Sequence, residues 1–298
     1  MAKLSAWIKR HSRRLIQWLS LFLHNPFVSR LFTKQLYTGA GKYVCVPGLN
    51  CYSCPAAVGA CPIGSLQQGL YSMRVPYYVL GTLILIGVTL GRVVCGFLCP
   101  FGLLQDLLYK IPFFKKINRF RADRALRWLK YVLLAVTVII LPLFFVSEPV
   151  FCKYICPQGT LQGGLTLAHS ASTTLNLSLG FLFKWKVAIL GAILLLCLLI
   201  YRPFCKYLCP LGAIYGLFNP IAAVRLRVDE ERCTKCGVCS GACKLCVEPY
   251  KKPNDPECIR CGDCIRSCPH RALSLGLGNI KKKKEENKDG EKENGVCA

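Results

Sequence analysis

Acidic residues are scarce in this 298-residue chain: 15 Asp and Glu stand against 39 Lys and Arg, a formal net charge of +24. Histidine is scarcer still. His11, His24, His169 and His270 are scattered and form no imidazole pair that could ligate a metal or serve as a base, so they read as structural or surface residues. No glycine-rich phosphate loop occurs, which argues against nucleotide chemistry. No Cys-x2-Cys-His run occurs, which argues against covalently attached haem. The first apolar stretch is followed by no small-residue cleavage site, so a cleavable signal peptide is not expected. With all of these lacking, no constellation for substrate chemistry is visible, and a self-contained enzyme is disfavoured.

What the chain does have is apolar content, at 53% of residues. A basic excess alone would suit nucleic acid or a membrane surface; joined to this composition it favours the membrane, and no nucleic-acid partner is expected. Val75–Gly91, Tyr131–Ser147 and Val187–Tyr201 carry no charge. Each falls slightly short of the ~20 residues that span a bilayer core, a gap that flanking Lys, Arg, Trp and Tyr can close. Leu15–Phe32 is a weaker fourth stretch, because it contains His24, Asn25, Pro26 and Arg30. Arg92–Lys130 holds nine basic residues and the N-terminal end holds Lys9, Arg10, Arg13 and Arg14, whereas between Gln35 and Arg74 only Lys42 and Arg74 are basic. The positive-inside rule then predicts a multi-pass protein of the cell membrane with about four helices and both ends in the cytoplasm.

Composition divides the chain into three parts. Residues 1–222 read as an α-helical integral membrane domain, and residues 223–278 as a small cysteine-dense α+β domain. Residues 279–298 are a Lys-rich tail with too little apolar content to fold; solvation explains it better than binding to anionic lipid.

The chain has 21 cysteines, far more than packing requires. Disulfides suit oxidising compartments, whereas the charge map puts most of these thiols inside. Zinc through Cys-x2-Cys pairs is a second option. The runs CTKCGVCSGACK and CIRCGDCIRSCP favour a third, because each is C-x2-C-x2-C-x3-C, the spacing of two-cluster ferredoxins whose fourth cysteine crosses to the other cluster. One [4Fe-4S] cluster is therefore expected on Cys233, Cys236, Cys239 and Cys268, and a second on Cys258, Cys261, Cys264 and Cys243. Cys243 is followed by Lys244 instead of proline, and Cys246 reads as a spare thiol.

A second cysteine pattern accompanies the apolar stretches. CGFLCPFG, CKYICPQG and CKYLCPLG each place two thiols four residues apart, on one helical face, with a proline that ends one helix and can open the next. Two thiols are half a cluster site, so the motifs should pair. Cys95 and Cys99 fall at the same inner face as Cys205 and Cys209 and complete one set. Cys152 and Cys156 are expected at the outer face, with Cys45, Cys51, Cys54 and Cys61 of the N-terminal loop. The leading outer set is Cys51, Cys54 and Cys61 with one of the middle pair; packing or a disulfide remains the alternative there. Cys197, inside an apolar stretch, reads as packing, and Cys297 as an incidental thiol.

Across residues 10–278 the paired CGFLCPFG and CKYLCPLG motifs, followed by the double ferredoxin run, resemble the membrane polyferredoxins. These include the quinol-dehydrogenase membrane subunit of periplasmic nitrate reductase systems and the cytochrome oxidase accessory polyferredoxin. The resemblance implies an electron carrier built on [4Fe-4S] clusters, working with redox partner proteins and, as a candidate, quinone. The CYSCPAAVGACPIG segment and the third Cys-x3-Cys-Pro motif depart from the nitrate-reductase subunit and leave its specific role open. The expected function is a relay between a cytoplasmic donor or the quinone pool and a membrane or extracytoplasmic acceptor. The alternative is a redox factor for assembly or regulation of another oxidoreductase.

Overall fold

The structure, a computed structural model, describes residues 2–30, 37–112, 115–118, 120–145, 148–166 and 180–277, with side chains from Ser12 onward. His169, Cys297 and the Lys-rich tail lie outside the described residues, as does the side chain of His11.

Among the described residues the chain is mostly helical, with one small sheet. Asp123–Phe145 and Phe181–Leu199 are long and apolar enough to cross a membrane, each with a mean hydropathy of 2.2. At about 1.5 Å per residue the second is roughly 28 Å long, close to the thickness of a hydrocarbon core. The first starts as an α-helix and widens into π-type turns from Leu134, with Pro142 inside that stretch. Proline withholds an amide from the ladder, which gives a local reason for the irregular winding. Tyr77–Thr89 is apolar but has only 13 residues, so it is shorter than the expected Val75–Gly91.

The N-terminal helix runs Ala2–His24, displaced from the expected Leu15–Phe32 and stopping just before Asn25 and Pro26. Its sides are reversed relative to a water-soluble helix. Gln17 and Ser20 are buried, while Leu19 and Leu23 are 69% and 74% exposed. The buried polar groups find backbone partners: Gln17 Nε2 donates to Gly96 O at 3.0 Å and Ser20 Oγ to Leu98 O at 2.8 Å. Exposed bulk on Val132, Ile139, Ile140 and Leu195 continues the apolar exterior.

Val224–Val228 (β1) pairs antiparallel with Leu273–Leu277 (β2), in the register Val224↔Leu277 to Val228↔Leu273. Between them the chain makes two short helices, Val238–Ala242 and Asp263–Arg266. This segment shares its core with the helices, since Leu245, Val247 and Ile259 pack in the same apolar cluster as Leu83, Val94 and Phe101. A buried ion pair reinforces the joint: Arg92 Nη1 donates to Glu257 Oε2 at 2.9 Å, and buried Lys130 bonds the other oxygen.

Candidate metal centres

In the sheet-bearing segment the two cysteine runs fold as near copies. Gly237 and Gly262 follow the second cysteine of each run with φ of 77° and 80°, and Lys235 and Arg260 before it also take positive φ. Left-handed backbone lets the run curl so that three thiols face one centre, and glycine adopts it without a Cβ penalty. One concavity is lined by Cys233, Cys236, Cys239 and Cys268. Another is lined by Cys243, Cys258, Cys261 and Cys264. Each concavity thus brings together the four thiols that the crossed spacing groups. Burial pushes the Cys258 thiol up to about 11 and the Cys264 thiol up to about 12, so either one gives up its proton only to a strong electrophile such as iron. Cys246 turns away, its thiol donating to Asn118 O at 3.2 Å.

The helical part brings the two distant motifs together. Cys99 and Cys209 each cap a helix in extended conformation, with ψ of 116° and 112°, and Pro100 and Pro210 begin those helices. Proline suits the first turn because its missing N–H would have no partner there. Cys95, Cys99, Cys205 and Cys209 are all buried, and each thiol lies within electrostatic reach of others in the set. Two of the sulfurs accept hydrogen bonds: Gln105 Nε2 donates to Cys205 Sγ at 3.1 Å, and Gly212 N to Cys209 Sγ at 3.3 Å.

Two fully buried arginines hold the motifs in a crossed clamp. Each stands three residues before the first cysteine of its own motif and reaches the other motif. Arg92 Nη2 donates to Cys205 O at 3.3 Å, and Arg202 Nη1 donates to Cys95 O. Arg202 also makes a two-pronged pair with Asp106, at 2.7 and 2.6 Å. Burial alone would raise the Asp106 carboxyl, but the Arg202 guanidinium outweighs it and holds the group well below the usual carboxylate range.

The N-terminal loop folds in beside this site. Tyr215 Oη donates to Pro47 O at 3.0 Å, and Gly48 sits against Cys99, where a Cβ would lie 3.1 Å from Cys99 Cα. Leu49 and Asn50 line the same cavity as Cys61. The two cysteine groups, expected at opposite faces, are joined here through the short Gly48–Asn50 segment. Cys51, Cys61, Cys152 and Cys156 line a common cavity of about 360 Å³. Cys54 is not in that wall; it packs with Ala56 and Ala57. Cys45 pairs its backbone with Ala60, and Cys197 is fully buried in its helix.

A family described as a 4Fe-4S binding domain matches residues 74–121, 129–172 and 185–228, each match enclosing one Cys-x3-Cys-Pro motif. The chain is 30% identical over 226 residues to an uncharacterized protein of Methanocaldococcus jannaschii, covering 72% of this chain and 85% of that one. The chain belongs to the 4Fe-4S polyferredoxins. Among its relatives, the ferredoxin-type protein NapH of Haemophilus influenzae is 25% identical over 278 residues, 88% of each chain. The methylamine utilization ferredoxin-type protein MauN of Methylorubrum extorquens is 32% identical over 197 residues, covering 64% of this chain and 57% of that one. No solved structure matches.

The donor sets of this polyferredoxin fit the iron–sulfur clusters that its family implies. Each of the three four-cysteine sets described first supplies thiols alone, the soft ligands such clusters take. Among the described residues, no three His, Cys, Asp or Glu side chains converge closely enough to hold a single ion. The sequence reading missed Arg92, Arg202 and Gly96. Their signal was the shared position of the arginines ahead of each motif, and a glycine inside the first motif where the third has Lys206.

Proposed function

We propose that this polyferredoxin is an integral membrane electron carrier, whose thiol sites form a continuous line from the sheet-bearing segment into the helices. One contact carries the reading. Ile259, inside the Cys258–Cys261 loop, places its carbonyl oxygen 2.6 Å from where a Gly96 Cβ would stand, and Gly96 adjoins Cys95. The loop holding one ferredoxin site thus seats directly on the motif holding the next. Arg260 fixes the loop, donating to Asn219 O at 2.7 Å and to Leu90 O at 3.1 Å.

Cys233, Cys236, Cys239 and Cys268 would hold one [4Fe-4S] cluster, Cys243, Cys258, Cys261 and Cys264 a second, and Cys95, Cys99, Cys205 and Cys209 a third. Bound there, each supplies one-electron chemistry without proton transfer. The protein's part is to bring the sites close, exclude water and place amide and guanidinium dipoles near the sulfurs, which tunes potential. Four helices, Ala2–His24, Tyr77–Thr89, Asp123–Phe145 and Phe181–Leu199, sit in the bilayer; Leu19, Ile84, Ile139 and Leu195 face outward, and Gln17, Ser20 and Thr137 face inward. The ferredoxin-like end faces the cytoplasm; its Lys244 lies near Lys110 of the basic segment, as the positive-inside rule requires. Electrons pass between a cytoplasmic donor or quinone and a membrane or extracytoplasmic acceptor.

Anaerobic purification, dithionite reduction and EPR test this. Ferredoxin-type signals should be broadened by a further spin nearby, and Cys205→Ser should remove that broadening. Signals in the parent protein that are as narrow as those of the Cys205→Ser variant would refute the continuous line.

A further inference from the structure

The cavity shared by the N-terminal loop and the middle motif repeats the architecture of the Cys95/Cys99/Cys205/Cys209 site. There, two Cys-Pro turns cap helices and two further thiols complete the set. Here Cys61 and Cys156 cap helices with ψ of 130° and 111°, Pro62 and Pro157 begin those helices, and Cys51 and Cys152 supply the other thiols. Even the sulfur hydrogen bond recurs: Gly159 N donates to Cys156 Sγ at 3.4 Å, as Gly212 N does to Cys209.

Three glycines keep the space before the sulfurs open. A Cβ at Gly159 would lie 3.8 Å from both Cys156 Sγ and Cys51 Sγ. One at Gly163 would lie 3.5 Å from Cys51 Sγ, and one at Gly64 would lie 3.8 Å from Cys152 Sγ. No Asp, Glu or His is among the residues lining the cavity, whose charged groups besides the thiols are Lys153 and Lys186. Lys186 Nζ donates to Cys152 O at 3.3 Å, which sets a positive charge beside the thiols. A four-thiolate iron–sulfur cluster carries net negative charge and needs such a neighbour.

We infer that this cavity is the site of a fourth [4Fe-4S] cluster, ligated by Cys51, Cys61, Cys152 and Cys156 and joined to the third site through the Gly48–Asn50 segment. Cys54 and Cys45 are not ligands. This deepens the carrier reading, because it extends the line of sites by one. An electron arriving here oxidises its neighbour by one and reduces this site by one, with no atom moved.

The test uses the full chain in detergent under strict anaerobiosis. The parent protein should hold about sixteen irons, four per cluster. Cys156→Ser and Cys61→Ser should each lose about four irons while the ferredoxin EPR signals persist, and Cys54→Ser should lose none. Unchanged iron in both ligand variants overturns the fourth site. Cys205→Ser separates the two readings: if it loses about four irons while Cys156→Ser loses none, the third site stands and only the fourth falls. Should the ligand variants not accumulate, alkylation of the parent protein decides. The four thiols should resist iodoacetamide until a chelator strips the iron. Prompt labelling of the native chain, or a disulfide between any two of them, overturns the inference.

Discussion

The sheet-bearing segment and the helical part solve one ligation problem in opposite ways. In the first, three thiols of each site come from a seven-residue run, and a single left-handed glycine shapes the curl. In the second, each motif brings two thiols, and the partner motif lies more than a hundred residues away. Local sites need little beyond backbone geometry. Remote half-sites need something to hold them together where water cannot help, and here that is the crossed arginine clamp with its buried carboxylates. The contrast predicts that distant substitutions damage the helical site and spare the ferredoxin sites.

The largest effect should come from Arg202→Met. It takes the two-pronged partner from Asp106, which keeps Arg13 Nη2 at 2.7 Å and Gln17 Nε2 at 3.1 Å, and the donor from the Cys95 carbonyl, so the loss should approach but not exceed the about 3–5 kcal/mol of a fully broken buried pair. Thermal unfolding in detergent should fall sharply and the helical-site iron should be lost; Arg202→Lys, which keeps charge but not the planar fork, should fall between. Equal loss of iron from all sites would break the comparison.

Glu257→Gln comes next, because it weakens the link from Arg92 and Lys130 to the ferredoxin loop. Burial alone would raise the Glu257 carboxyl, and Arg92 and Lys130 outweigh it and lower the group. A depressed folded value means that this docking is present above the ordinary carboxylate range and is lost as pH falls through the lowered value. Hydrogen exchange across residues 256–262 should therefore quicken in the variant at neutral pH. In the parent protein it should quicken only in acid. Identical exchange in both would remove Glu257 from the joint.

A smaller effect is expected at Gly96. Gly96→Ala drives a methyl into the Ile259 carbonyl and should cost about 1–3 kcal/mol, as overpacking does. Gly191→Ala, where nothing lies within 4 Å of the new methyl, should be neutral or slightly stabilising. The two changes in unfolding temperature should have opposite signs, or one should be near zero.

The smallest is a pH effect on reconstitution. The apo thiols of Cys258 and Cys264 are raised by burial and hold their protons at neutral pH. Iron must displace those protons, so loading of apo-protein should release acid and improve from pH 7 to 9. A pH-independent yield would contradict the burial of these thiols.

The grouping of thiols in the sheet-bearing segment was readable from spacing alone, including the placing of Cys243 and Cys268 with the opposite runs, because three-thiol runs leave little freedom. The Cys-Pro turns were readable too, since proline can open a helix but not continue one. The partnership of the outer thiols was not. Charge bias reports on which side a loop starts and ends, and says nothing of a loop that folds inward, as Pro47–Asn50 does against Tyr215 and Cys99. Cys54 and Cys156 are equally plausible by spacing; only the fold separates a thiol packed on Ala56 and Ala57 from one in the cavity wall. The N-terminal helix misled for a related reason. His24, Asn25, Pro26 and Arg30 read as weakness within Leu15–Phe32, whereas the helix ends at His24 and its Gln17 and Ser20 bond inward to the backbone around Cys95–Cys99.

The most direct measurement is iron and acid-labile sulfide per chain in the anaerobically purified protein and in Cys205→Ser. Cluster ligation by the paired helical motifs predicts iron above the about eight that two ferredoxin clusters hold, with about four lost in the variant and the ferredoxin EPR signals intact. About eight irons in both proteins, or zinc in place of iron, would contradict it.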